Sequence, residues 1–186
     1  GSRTVRLSGE EHLDELGVVP LPPYIHQPLE DVERYQTVYS RVKGSVAAPT
    51  AGLHFTGELL DRIRGLGVET VFVTLHVGWD SFRPVDVEDV ASHEMHSEYW
   101  ELGRDAADAI NRAKADGRRV VSVGTTAVRL LEQAAAGACD STALLSPGSG
   151  WADLFMYPGY RFRVVDALLT NFHLPGSTLL ALVGAF

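Results

Sequence analysis

Between Thr56 and Ala136 the spacing of apolar residues switches repeatedly between helical and strand periods, and few folds accommodate that order. Leu59, Leu60, Ile63 and Leu66 recur at helical spacing behind Thr56, whose hydroxyl suits an N-cap, and Gly67 supplies the stop. Residues 68–77 follow directly, rich in β-branched side chains and closed by Gly78, a pattern that predicts a buried strand. A second helix is expected over residues 104–115, with Ala106, Ala109, Ile110 and Ala113 facing inward and Asp116-Gly117 turning the chain. Residues 120–123 read as the next strand, and Gly124-Thr125-Thr126 leads straight into a third helix over 127–136. Strands separated by helices lie largely parallel, because each crossover carries the chain back across a sheet face. The expected class is therefore α/β: a barrel-like or open, mostly parallel sheet with covering helices.

The flanks carry weaker signals. Ser8 with Glu11 three residues on is a capping-box start for a helix ending near Gly17, with Leu13 and Leu16 as its buried stripe. Pro20, Pro22, Pro23 and Pro28 remove backbone donors and push their predecessors out of the helical region. Leu21-Pro22-Pro23-Tyr24-Ile25 is thus a rigid extended segment presenting an aromatic ring. Residues 31–39 suit a short helix and 44–52 a strand or loop. Residues 138–150, rich in Ser, Gly and Pro, predict a mobile loop or lid. Strands are expected over 154–157 and 160–165 around a Pro158-Gly159 turn, and Ser177 or Thr178 caps a final apolar helix.

At 186 residues, 45% hydrophobic and 22% charged, the chain can bury one sizeable core. No apolar run approaches the roughly 20 residues of a membrane span, so no membrane association is expected. Cys139 stands alone and cannot form an internal disulfide, which points to a reducing, cytoplasmic setting. The 16 Lys and Arg against 24 Asp and Glu, a net charge of -8, argue against a general nucleic-acid coat while leaving room for a local basic groove. Gly1-Ser2 reads as an expression scar.

Two features point to chemistry. Gly124-Thr125-Thr126 lies where a strand ends and a helix begins, a place where backbone amides and the helix dipole receive anionic ligands, although the same residues also serve simply to start a helix. Histidines form the second: His54, His76 and His173 each stand where an element meets a loop, and imidazole titrates in the range that general acid and base catalysis needs. His93-Glu94-Met95-His96-Ser97-Glu98 invites a metal reading, but its histidines are three apart rather than the four of a zincin helix, so no metal is expected. Signatures of nucleotide hydrolysis, dinucleotide redox chemistry and serine hydrolysis are missing.

Longer motifs narrow the field. Leu21-Pro22-Pro23-Tyr24-Ile25, Tyr35-Gln36-Thr37-Val38-Tyr39, Ala47-Ala48-Pro49-Thr50-Ala51-Gly52-Leu53-His54-Phe55-Thr56, Leu75-His76-Val77-Gly78, Met95-His96-Ser97-Glu98, Val123-Gly124-Thr125-Thr126 and Thr170-Asn171-Phe172-His173-Leu174-Pro175 occur in one order. In that order the chain resembles the S-adenosylmethionine:tRNA ribosyltransferase-isomerase family of queuosine biosynthesis, from about Leu16 to Phe186. The resemblance implies transfer of the ribosyl part of S-adenosylmethionine to a 7-aminomethyl-7-deazaguanine at the tRNA wobble position. The product is epoxyqueuosine, adenine and methionine depart, and no metal takes part. S-adenosylmethionine is the co-substrate and tRNA the partner. A truncated or divergent module that binds S-adenosylmethionine or RNA without turnover is the alternative.

By position within the matching motifs, His54, His76, His96, Glu98 and His173 are the expected acid and base groups. Gly124, Thr125 and Thr126, assisted by Arg129, are expected to take the methionine carboxylate or a tRNA phosphate. Thr50 belongs with them in the binding set. Tyr24, Phe55, Phe82 and Phe172 are candidates for stacking on adenine or the modified base, and Asn171 either reads a base or ribose edge or supports the backbone. The chain departs from the family pattern at Trp79-Asp80-Ser81-Phe82, where the family carries a glycine before Thr-Phe. Residues 1–16 are expected to be the scar and a junction remnant of the family's inserted β-barrel domain, itself largely absent. Residues 17–186 are then the α/β catalytic-type domain, truncated at its C-terminus. The family is expected to be monomeric, with edge-strand pairing open to a shortened chain.

Overall fold

The computed structural model describes residues 6, 8–22, 25–78, 87, 89–93, 95–137 and 143–186. Tyr24, Asp80, Phe82 and Glu94 lie outside the described residues. A 3-10 turn (Glu10–His12) runs into the single turn α1 (Leu13–Leu16), and further 3-10 turns form at Val32–Tyr35, Thr50–His54 and Val90–Ser92. The longer elements are α2 (Gly57–Gly65), β1 (Thr74–His76), β2 (Glu98–Leu102), α3 (Arg104–Ala115), β3 (Val121–Val123), α4 (Thr125–Ala136), β4 (Gly148–Ala152), β5 (Ala167–Leu169) and α5 (Thr178–Ala185).

Two of the helices, α2 and α5, start where a capping side chain places them. Thr56 Oγ1 accepts from Leu59 N at 3.1 Å to open α2, and Ser177 Oγ accepts from Leu180 N at 3.2 Å to open α5. The expected apolar stripes are shorter than the periodicity implied. Leu66 caps α2 at 83% exposure and Leu16 is 78% exposed, so neither joins a core.

The class is α/β, but its sheets are mixed rather than mostly parallel. β1, β2 and β4 form an antiparallel sheet in the order β1-β2-β4, and β3 pairs with β5 in parallel. Three features of the chain explain the difference. Residues 68–77 yield a strand only from Thr74 onward, because only there does β2 offer a ladder partner, Glu101. β4, read as loop from Gly148, Ser149 and Gly150, becomes a strand because all five of its residues pair with β2.

The third concerns residues 160–165, expected as a strand. Their amides go to a side chain instead. Glu132 on α4 is fully buried and accepts from Arg163 N at 2.9 Å and from Val164 N and Val165 N, each at 3.0 Å, with the Tyr160 hydroxyl at 3.1 Å. A buried carboxylate is stable only with such a full set of donors, and these donors are thereby withdrawn from any sheet. Burial and the adjoining carboxylate push the Tyr160 phenol up to about 12.

α4 forms the centre. Val128, Leu130, Leu131, Ala134 and Ala135 pack with Leu102, Ala106, Ala107, Ile110, Leu145, Met156, Val164, Val165 and Leu182. A helix apolar on most of its circumference belongs in a core, and α4 touches β1, β2, β3 and β4. Its N-terminus follows β3 directly, across Gly124.

Candidate active site

A cleft of about 390 Å3 lies at that N-terminus, walled by the 3-10 turn Thr50–His54 and by residues 170–173 after β5. The strand-to-helix turn is made at Gly124, whose φ of 89° lies in the left-handed region that glycine alone adopts cheaply. Gly124 N donates to Leu169 O at 2.8 Å, which ties the turn to β5. As N-cap residue it has no side chain to offer the first-turn amides of α4, and Thr125 and Thr126 line the cleft beside it.

One turn further into α4, Arg129 forms a buried ion pair with Glu98 on β2, both side chains about 5% exposed or less. Arg129 Nη2 also donates to His96 O at 3.3 Å and Ala152 O at 3.2 Å, and Glu98 Oε1 accepts from Gly78 N at 3.2 Å. One pair of side chains thus joins α4, β2, β4 and the end of the β1 segment. Burial lowers the guanidinium pKa, while Glu98 and Asp153 pull it back up.

Opposite this floor stand two imidazoles. His54 Nε2 lies 3.1 Å from Asn171 Oδ1, and Asn171 Nδ2 donates to Thr50 Oγ1 at 3.0 Å. His173 Nε2 lies 3.1 Å from Thr170 Oγ1, and burial holds its imidazole below the ordinary histidine range, so the ring is neutral at pH 7. Phe172 is fully exposed at the rim.

Thr50, His54, Glu98, Gly124, Thr125, Thr126, Arg129, Asn171, Phe172 and His173 are therefore gathered around one cleft. Phe55, His76 and His96 are not among its lining residues. His96 contributes its carbonyl to Arg129. His76 stands across from Tyr99, which stands across from Trp151. Their rings are in contact, at 5.9 Å and 5.6 Å between centroids. Side chains alternate along a strand, so Tyr99 and its partners occupy the sheet face opposite to Glu98. Phe55 is half-buried just before the cap of α2.

Sequence reasoning missed Thr170, the hydroxyl on His173, and the apolar wall of Ala47, Ala48, Ala51 and Leu179. It also missed Glu132, whose signal was a lone carboxylate between Leu130-Leu131 and Ala134-Ala135. A larger, more open hollow of about 500 Å3 lies between residues 69–72 and α3. It holds no imidazole, and its arginine, Arg112, is paired with Glu69 at 3.2 Å. Among the described residues no group of three or more His, Cys, Asp or Glu side chains is placed to hold a metal ion. His93 packs on Phe155, with ring centroids 5.4 Å apart.

Imidazoles facing the amino end of a buried helix, in the crevice of an α/β scaffold, suit group transfer on an anionic substrate with proton movement on either side. Comparison with known proteins makes the class specific. The chain belongs to the queuosine biosynthesis protein family, matching its sequence profile over residues 1–186. It is 59% identical, over 95% of its length, to the S-adenosylmethionine:tRNA ribosyltransferase-isomerase of Symbiobacterium thermophilum and 58% identical, over the same share, to that of Clostridioides difficile. It covers 50% of each, so the chain spans about half the length of these relatives. The crystal structure of the Thermotoga maritima S-adenosylmethionine tRNA ribosyltransferase superimposes with a TM-score of 0.55 at 38% identity, over 73% of this chain and 40% of that one.

Proposed function

We propose that this chain carries the cleft in which the ribosyl group of S-adenosylmethionine is transferred to 7-aminomethyl-7-deazaguanine at the tRNA wobble position and isomerised to epoxyqueuosine. The observation that supports it most is the convergence of three motifs far apart in sequence, those containing Thr50 and His54, Gly124 to Arg129, and Thr170 to His173, on one cleft. The reaction needs a base to take a proton beside the sulfonium, an acid to give one to departing adenine, and a seat for the methionine carboxylate. His54 and His173 serve the proton steps. The first-turn amides of α4, with Thr125 and Thr126, seat the carboxylate. Glu98 and Arg129, each already engaged by protein groups, hold the floor in shape rather than exchanging protons. Phe172 stacks on an unstacked base or on adenine. tRNA is the partner despite the net charge of -8, because a local match of shape and a few cations suffices for a loop.

The test incubates the protein with S-adenosylmethionine and tRNA bearing the 7-aminomethyl-7-deazaguanine base, and measures adenine and methionine. Equal release of both, dependent on that tRNA, is expected. Heat of binding with S-adenosylmethionine recovered intact selects instead a module that binds without turnover.

A further inference from the structure

Thr50 opens the 3-10 turn that His54 closes, and Asn171, far along the chain, bridges the two. A carboxamide has one accepting oxygen and one donating nitrogen. The structure places the Asn171 nitrogen on Thr50 Oγ1 at 3.0 Å and the oxygen against His54 Nε2 at 3.1 Å, and an amide oxygen can only accept. A neutral imidazole carries a single proton, and to meet that oxygen it must carry it on Nε2. The second imidazole of the cleft is held differently. His173 meets the Thr170 hydroxyl, which both donates and accepts and therefore selects neither tautomer.

We infer that Asn171 is a positioning residue that fixes the proton of neutral His54 on Nε2 and leaves Nδ1 as its basic atom. The inference rests on the reading of this cleft as an acid–base ribosyl-transfer site, and it deepens that reading by naming the atom that accepts the proton. It also gives Asn171 a task other than reading a base edge. Among the described residues, the titratable side chains that share the cleft with His54 are Tyr35, Glu98, Arg129 and His173.

Nitrogen-15 NMR of the imidazoles, recorded in mildly alkaline buffer, tests it directly. The His54 signals are identified by their loss in His54→Gln. Nε2 is expected as the protonated, pyrrole-type nitrogen and Nδ1 as the pyridine-type one. Asn171→Leu should replace that state by a mixture of tautomers, and Thr50→Val, which frees the carboxamide, should do so in part. Asn171→Asp keeps an acceptor facing the ring, so it should retain the Nε2 proton. In adenine release, Asn171→Leu should lower kcat at least about tenfold, a part of the general-base contribution of about 10²–10⁴, with KM little changed. A wild-type His54 protonated on Nδ1, or an Asn171→Leu protein with an unaltered tautomer, overturns the inference. A fixed tautomer in a protein that releases no adenine supports it and removes the functional reading alone.

Discussion

Gly52 shows how one missing side chain shapes the cleft wall. A Cβ at this position would stand 2.0 Å from the Tyr39 hydroxyl and 2.9 Å from Thr37 Cγ2, far inside contact distance. Tyr39 has little room to retreat, since its ring packs on Phe72 at 5.0 Å and burial already raises its pKa. Gly52→Ala is therefore expected to cost about 1–3 kcal/mol as an overpacked site. Tyr39→Phe removes the nearest clashing atom, so the double variant should unfold at higher denaturant than Gly52→Ala alone. Equal midpoints for the two would refute the contact argument. The glycine itself was legible in the Pro49-Thr50-Ala51-Gly52 string, but nothing in the string says that a tyrosine thirteen residues earlier requires it.

Among the elements, the helices were the most legible. Capping residues and apolar spacing are local signals, and they located α2, α3, α4 and α5 to within a residue or two. The strands were not, because a strand exists only when a partner satisfies its amides. β4 is a strand through β2, whereas residues 163–165 are not, through Glu132. Glu132→Gln replaces an acceptor-only carboxylate by an amide that brings two donors into a ring of donors. We expect a loss of roughly 1–3 kcal/mol for the unsatisfied buried groups. Amide exchange at Arg163, Val164 and Val165 should speed up more than in the core of α4. Unchanged exchange at these three amides would show that the carboxylate does not hold the segment.

Across the whole molecule, protonation of the cleft and the stability of the fold are linked. Burial holds His173 below its unfolded pKa, so the unfolded chain binds the proton more readily. Its contribution is intact above about pH 6.5 and is lost as pH falls through the lower, folded value. Asp166 acts in a separate window. Burial would raise its pKa, but the Lys114 ammonium at 2.7 Å and the Val120 amide at 2.8 Å outweigh that and lower it. Its contribution is present above about pH 3.9 and lost below. Urea unfolding from pH 8 to 5 should thus show a decline that His173→Gln reduces, while Asp166→Asn lowers stability evenly across that range and leaves the decline as it is. Parallel curves for wild type and His173→Gln would sink the assignment. By itself the sequence determined the four longer helices, the α/β class and the family, because caps, apolar periods and ordered motifs are written in consecutive residues, whereas the helices expected before Gly17 and over 31–39 form only short turns. The fold alone decided which candidates share a cleft. It set His54 and His173 over α4, turned His76 to the other face of a sheet, and enclosed Glu132, since strand pairing and burial depend on residues that meet only in space.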